Sequence, residues 1–588
     1  MKKMLSLILV ALMLMTTMAS CTTLEGKDRG AIIDIYLGTE VYDFDPQNSI
    51  TDDAQLRFMS LIYEGLTRLD ENGKWVNAMM QSYKVEQRED GIFSIVINLG
   101  GNTCWSDGRP VQAIDFVYSW KRLLDPEAQR EGASLLYDVR NAKAAKLGDV
   151  SIDDIGVAAV DTYVLQVEFE GEVDLDAFFT KCASIAMVPL REDMISRIGE
   201  KWGTKTTTVL SNGPFVLREI AENGQIAVGR STYYYLDQDP ESKEPLDKYV
   251  IPYRLVNKFT TGDAQAQLDA YMSGALGATI YLDNNLPLAE RAALKKKAEV
   301  TDMMATHTYV FNTQNKLFAN ADVRRALSLA IDREAIVEMI TFAKPATGYV
   351  PYKVFDTKAR TSFREEGGEL IAASANIEEA KTLLKNAGVS GGSFTITVRN
   401  NEVDMAVADY VKGVWETLGF TVKIDNTKGL ELSEAGVTTD LFQEAYKAGD
   451  FDVSVIDSMM QTADAFNILS QFATAYSGNG VDMTSPNYDL YGHVSGYTSE
   501  AYNALIESAH AELDVEARAA ILHDAEKMLM EDMPICPIFF LQDAYIVSDE
   551  LTGVDSDYFG MRIFKDAKLN DYMTKKAATD TSAENPAS

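Results

Sequence analysis

The sequence predicts an α/β fold on three observations. Apolar, strand-like runs recur at 93–99, 163–169, 394–398 and 421–424 with amphipathic helical stretches between them, an alternation that lays helices over sheets. The chain has 588 residues, enough for about three or four domains. No internal repeat or low-complexity block interrupts the alternation.

The elements follow in order. Lys2 and Lys3 precede the run 5–15, in which only Ser6 is polar, and then come Thr16, Thr17 and Met18-Ala-Ser-Cys21. A charged start, an apolar stretch too short to span a bilayer comfortably and small residues at a cleavage point read as an export signal over 1–20. Cys21 after the small residues resembles a bacterial lipobox cysteine, whose thiol receives a diacylglyceryl group, although that pattern prefers Leu where this chain has Met18. A plain secretory signal with an incidental cysteine is the alternative. Two acyl chains on one residue anchor stably where one is marginal, so 21–30 is expected to be a lipidated tether.

The segment 31–37 reads as a first strand. Asn320-Ala-Asp322 offers polar groups to the orphan amides of a first helical turn, and Val323, Leu327, Ala330 and Ile331 then recur at helical spacing. Lys344-Pro345 marks a boundary. Leu505, Ala509 and Leu513 form one helical stripe, and Ile521, Ala525 and Leu529 another, before Met533-Pro534 breaks the pattern. These faces are expected to be core. The segment 574–588 has no apolar periodicity and reads as a disordered tail.

Composition excludes several classes. Apolar residues make up 46% and charged residues 24% of the chain, ordinary for a soluble globular protein and unlike a disordered or multi-span membrane chain. With 54 Lys and Arg against 88 Asp and Glu, the net charge is −34, which repels phosphate backbones and removes nucleic acid from the partner list. Anionic membrane and wall polymers are repelled too, so a tether is needed to hold the protein there. With Cys21 assigned to the anchor, only Cys104, Cys182 and Cys536 remain, an odd number that rules out a disulfide framework; these three are expected to be buried thiols. The histidines at 307, 493, 510 and 523 show no metal-ligand spacing. Phosphate-loop, zinc-peptidase and nucleophile-elbow signatures are absent from the sequence. Asp555-Ser-Asp-Tyr-Phe-Gly560 places Phe559 where a calcium loop needs oxygen, so it reads as a turn. No metal, cofactor or enzymatic activity is expected.

The strongest signal is a series of long stretches. Leu61-Ile-Tyr-Glu-Gly-Leu-Thr-Arg-Leu-Asp70 is followed by Glu71-Asn-Gly-Lys-Trp75, then by Trp105-Ser-Asp-Gly-Arg-Pro110 and Asp115-Phe-Val-Tyr-Ser-Trp-Lys-Arg-Leu-Leu-Asp-Pro126. Asp45-Pro46, Ser211-Asn-Gly-Pro-Phe215, Asp322-Val-Arg-Arg-Ala-Leu-Ser-Leu-Ala-Ile-Asp-Arg333 and Phe451-Asp-Val453 complete the set. In this order they closely resemble family 5 of the extracellular solute-binding proteins, the oligopeptide and dipeptide receptors of ABC importers, across 31–572. The resemblance implies a two-lobed, periplasmic-binding-protein-like flytrap that closes about a hinge. It divides the chain into a discontinuous lobe I (31–62, 191–304 and 537–573), an extra small domain (63–190) and lobe II (305–536).

In peptide-binding relatives the ligand lies extended and pairs with short strands of both lobes. The resemblance places one such strand near 49–53 and the other at Asp457, Ser458, Met459 and Met460. Relatives read Phe/Tyr-Asp-Val, three residues, Gly-Trp, two residues, Asp-Tyr-x-Asp/Glu-Pro, and the first Asp of the last step meets the peptide's α-ammonium. Aligned without gaps, that Asp becomes Gln461 here, and Asp464 matches only the later acidic residue. A neutral amide cannot form the charge-assisted pair. Asp457 or Asp464 takes the role, the ligand lacks a free α-amine, or the solute is not a peptide. Asn284-Asn285-Leu-Pro287 resembles a turn whose amides face the cleft in oligopeptide binders; an ordinary surface loop is the alternative. The expectation is a monomeric receptor, lipid-anchored on the outer face of a Gram-positive type of cell, that delivers an oligopeptide-like solute to ABC permease subunits. A sensory surface protein of the same fold and an extracellular hydrolase are the alternatives.

Overall fold

The computed structural model describes residues 30–37, 41–48, 53–87, 91–221, 225–235, 248–257, 265, 268–269, 272–273, 279–281, 287–355, 361–433, 438–482 and 489–570. The first strand, β1 (Ile32–Ile35), alternates as a half-buried strand should: Ile33 and Ile35 are buried and Ile32 is 47% exposed. Helix α1 (Asp53–Ile62) buries Ala54, Phe58, Leu61 and Ile62 along one face. A hairpin of β2 (Met80–Gln87) and β3 (Phe93–Leu99) follows.

Helix α2 (Ala113–Leu123) begins with a capping box: the Asp115 carboxylate accepts from the Gln112 amide at 2.9 Å and from Trp105 Nε1 at 2.9 Å. Its Phe116 and Trp120, four apart, meet edge to face at 6.4 Å. Strands β4 (Val157–Asp161) and β5 (Val164–Glu168) complete a sheet of order β2-β3-β5-β4. Strands β6 (Phe215–Ile220), β7 (Ile226–Arg230) and β8 (Arg254–Asn257) join β1 in a second sheet of order β1-β8-β7-β6.

The largest sheet contains two strands of thirteen residues, β9 (Glu299–Phe311) and, far along the chain, the final long strand (Ile535–Val547). Between them come helices α3 (Ala321–Leu329) and α4 (Arg333–Ile340), strand β10 (Gly392–Thr397), helix α5 (Glu402–Thr417), and strands β11 (Phe420–Asp425) and β12 (Val453–Met459). Helices α6 (Ala465–Leu469), α7 (Glu500–Ala511) and α8 (Val515–Asp532) lead into β13, as Ile535–Val547 is called below. The sheet runs Thr279–Tyr281, β13, β9, β12, β10, β11, and the short strand Ala343–Pro345 lies against β13. Trp415 of α5, fully buried, gathers the core behind this sheet: its Nε1 donates to the Leu327 carbonyl at 2.9 Å, and its ring touches Tyr309, Phe311 and Phe394.

The pairing of β9 with β13 is antiparallel and slips twice, between Asp302 and Thr306 and between His307 and Thr308. The second slip lies at Pro537, which cannot donate to the ladder. The Asn72-Gly73 and Asp107-Gly108 turns have positive φ at both glycines, 74° and 88°. Within the 555–560 segment, 557–560 turns the chain between the two-residue strands Asp555–Ser556 and Arg562–Ile563. Cys104, Cys182 and Cys536 are buried free thiols. One expectation fails. Leu513 lies beyond the end of α7 and is 57% exposed, because the helix stops at Ala511 and Asp514 caps the next one. Among the described residues no helix is long and apolar enough to cross a membrane.

Candidate ligand cleft

The crossing strands carry one wall of a cleft. β9 contributes Met303, Met304 and His307, and β13 contributes Phe539, Leu541 and Asp543. α1 faces them from one side with Asp53, Leu56, Arg57 and Ser60, and β12 closes the other side with 455–459. The polar compartment has a volume of about 1030 Å³, including space open to solvent, and the start of α5 adds Asp404 to its lining. A neighbouring compartment of about 570 Å³ is rich in methionine: Met304, Met459, Met460 and Met561 line it with Phe559 and Gln461. Flexible, polarisable thioethers suit surfaces that accept varied groups. A third compartment of about 530 Å³ is bounded by Tyr349, Tyr446, Phe472 and Ser458.

β12 has the feature that matters for an extended ligand. One edge pairs with β9 from Phe311↔Val453 to Ala305↔Met459. The other edge meets β10 only at Val453 and Ser454. Over 455–459, the residues lining the cleft, no strand occupies that edge among the described residues.

The polar compartment is dense with charge. Arg57 pairs with Asp53 at 2.7 Å and with Asp543 at 3.0 Å, and Asp543 also holds Arg562. Arg399 pairs with Asp440 at 2.8 Å, an oxygen that also accepts from Tyr42 Oη. His307 lies directly opposite Asp457 in the strand register, and its Nδ1 is 2.7 Å from the Asp457 carboxylate. The imidazole stacks on Phe539 with ring centroids 4.3 Å apart. Burial disfavours the imidazolium, but the hydrogen bond and charge of Asp457, with Asp404 beyond, outweigh it and hold the His307 pKa above its ordinary value. Burial, with Asp457 adding to it, pushes Asp404 up to about 6 against the pull of His307.

Of the residues singled out from sequence, Asp457, Ser458 and Met459 all lie on β12 at the cleft. Ser458 and Tyr349 line the same aromatic compartment. Gln461 is buried, its amide oxygen accepting from Ser184 Oγ at 3.1 Å and its backbone N–H donating to Asn467 Oδ1 at 2.8 Å. Asp464 is committed elsewhere: it caps α6 through the Phe466 amide at 2.9 Å and takes Arg518 in a bidentate pair at 3.0 and 2.8 Å. Burial raises its pKa, yet the Arg518 charge and hydrogen bonds prevail and hold it below the usual carboxylate range. Cys21, Asn284 and Asn285 lie outside the described residues, as do 49–52 of the expected strand near 49–53; Asp53 instead begins α1. Sequence reading missed His307, Asp404, Arg57, Arg399 and Asp543. The available signal was a histidine inside the alternating run Thr306-His-Thr-Tyr-Val310, a polar residue where a crossing strand should be apolar.

A cleft walled by two long antiparallel strands within a mixed α/β structure is consistent with the architecture of a two-lobed, periplasmic-binding-protein-like solute receptor. The chain belongs to the bacterial extracellular solute-binding proteins, family 5, whose middle region matches residues 75–480. It is 27% identical over 501 residues to the dipeptide-binding protein DppE of Bacillus subtilis, covering 84% of each chain. It is 26% identical over 593 residues to the oligopeptide-binding protein OppA of the same organism, covering 96% of this chain and 99% of that one. The substrate-binding domain of an oligopeptide ABC transporter from Bacillus anthracis shares the fold with a TM-score of 0.77, at 23% identity over 92% of this chain and all of the other.

Proposed function

We propose that this protein is the lipid-anchored, extracytoplasmic binding component of a peptide ABC importer. It captures an oligopeptide-like solute by hinge closure and delivers it to the permease. The observation that carries the reading is the edge of β12 at 455–459 inside the cleft, which no strand occupies among the described residues. An extended peptide can add there as a strand, so that main-chain hydrogen bonds supply affinity while the methionine-lined and aromatic compartments take side chains. The names of DppE and OppA, a dipeptide-binding and an oligopeptide-binding protein, support the solute class. No covalent chemistry is assigned to the site.

Closure follows a division into lobe I (31–62, 191–304, 537–573), a small domain (63–190) and lobe II (305–536). The slips between β9 and β13 weaken the ladder where the strands pass between lobes, which suits a hinge. Cys21 carries the anchor, and residues 1–20 are removed. Asp464 cannot supply a counter-charge to a peptide's amino end without giving up Arg518, and Gln461 offers only an amide already bonded to Ser184.

Thermal unfolding with random peptide pools tests the reading. A binding pool at a hundred times its dissociation constant stabilises by about 2.7 kcal/mol. If no pool shifts the transition, cationic pools included, peptide capture is wrong.

A further inference from the structure

The geometry points to a cation-binding subsite in the polar compartment of the cleft, in which Asp457, His307 and Asp404 together receive an ammonium or guanidinium group of the solute. The inference rests on the peptide reading above and names the end of the cleft that selects among peptides.

Charge balance in the compartment leads to it. Arg57 is neutralised by Asp53 and Asp543, and Arg399 by Asp440. Arg291, also in the lining, donates to the Ile340 carbonyl. Asp457, by contrast, pairs directly with His307 alone, and Asp404 has no direct cation partner among the described residues; it is acted on by the charges of His307, Asp457 and, more weakly, Arg399. Asp404 has one further side-chain partner, the Asn401 amide at 3.0 Å. With both carboxylates ionised, the three groups carry net negative charge whichever way the histidine is protonated.

The second observation is independent of charge. The His307 side chain is 2% exposed, and its Nε2 is buried with no hydrogen-bond partner among the described residues. A carboxylate can only accept, so the Asp457 bond places a proton on Nδ1 and leaves Nε2, in the neutral ring, as a lone-pair acceptor on a residue that lines the compartment. Phe539 stacked on the ring and the strand register opposite Asp457 fix its direction. A ligand N–H satisfies Nε2, and the carboxylates supply the counter-charge that Gln461 does not.

Ligand and proton then compete for Nε2. Protonating His307 or Asp404 makes the subsite less negative, so both titrations act in one direction: affinity for a cationic group rises with pH. His307 titrates above its ordinary value and Asp404 near about 6, which sets the window at mildly acidic to neutral pH.

The experiment uses the full mature chain and tetra-alanine peptides bearing a single Lys, norleucine or Glu at each position in turn, with free and acetylated amino ends, titrated calorimetrically from about pH 5.5 to about pH 8. At one Lys position affinity should exceed norleucine by about tenfold or more at the upper pH. That advantage should shrink on acidification, and buffers of different ionisation enthalpy should reveal proton release on binding. Comparing free with acetylated ends separates a side-chain cation from the terminal amine. Asp457→Asn and Asp404→Asn should each reduce the Lys-to-norleucine ratio; the pH dependence of the unmodified protein is read separately, so a variant that fails to fold does not decide the matter. Preference for Glu, or Lys affinity that falls as pH rises, would make His307 a donor to carboxylates and overturn the subsite. Equal binding of Lys, norleucine and acetylated peptides overturns it while leaving peptide capture standing. Absence of binding by the whole series overturns both.

Discussion

Among single residues, Asp464 shows how far spacing alone can go. The ordered motifs mark it as an acidic residue near the ligand end of β12, but its partner, Arg518, is 54 positions away on α8 and cannot be inferred from local pattern. The same holds for His307 and Asp457, 150 positions apart and directly opposite each other in the sheet. The stretch of β12 at the cleft was therefore legible in sequence, but its partners on other elements, and the commitments of its side chains, were not. For Asp464 the commitment has a measurable consequence. The two side chains remain 23% and 27% exposed, so Asp464→Asn should cost about 1–2 kcal/mol, less than breaking a fully buried pair. Because the folded carboxyl titrates below its unfolded value, the pair contributes fully above the unfolded pKa of about 3.9 and fades as pH falls toward the folded one. The urea midpoints of the two proteins should differ at neutral pH and converge on acidification. A constant gap down to about pH 3 would mean that the pair carries no linked stability.

For secondary-structure elements, legibility followed the strength of the periodic signal. The run 93–99 coincides with β3, and 421–424 falls within β11, since short apolar runs bounded by polar residues have few alternatives. The crossing strand β13 was harder. Pro537 inside a strand argues against one, and a lobe boundary drawn at 536 and 537 cuts what the structure forms as one strand of thirteen residues. The slip at Pro537 is how the ladder accommodates it. The unoccupied edge of β12 could not be read at all, because it depends on where β10 stops pairing. If a peptide adds at that edge, hydrogen exchange of amides in 455–459 should slow on addition of a stabilising peptide pool. Amides of β10, already held between β11 and β12, should change little. Protection appearing only at the methionine-lined compartment, with β12 unaltered, would replace strand addition by side-chain capture.

At the scale of the whole molecule, ordered motifs indicated the architecture, and composition bears only on the field around it. The net charge of −34 cannot specify two lobes, because charge patterning is insensitive to fold. It does set the field that a charged solute meets. That field extends about 30 Å at 0.01 M salt and about 3 Å at 1 M, whereas the contacts of a bound group in the cleft are screened much less. The two contributions can therefore be separated kinetically. Association of a Lys-bearing tetrapeptide should slow by about tenfold between those salt concentrations, a Glu-bearing one should accelerate, and a norleucine one should be nearly indifferent. Dissociation rates should move far less, because they report the closed cleft and its short contacts. Stopped-flow measurements across the salt series decide the point. If salt acts on dissociation while association stays flat, the acidic surface plays no part in capture, and any preference for cationic peptides belongs to the cleft alone.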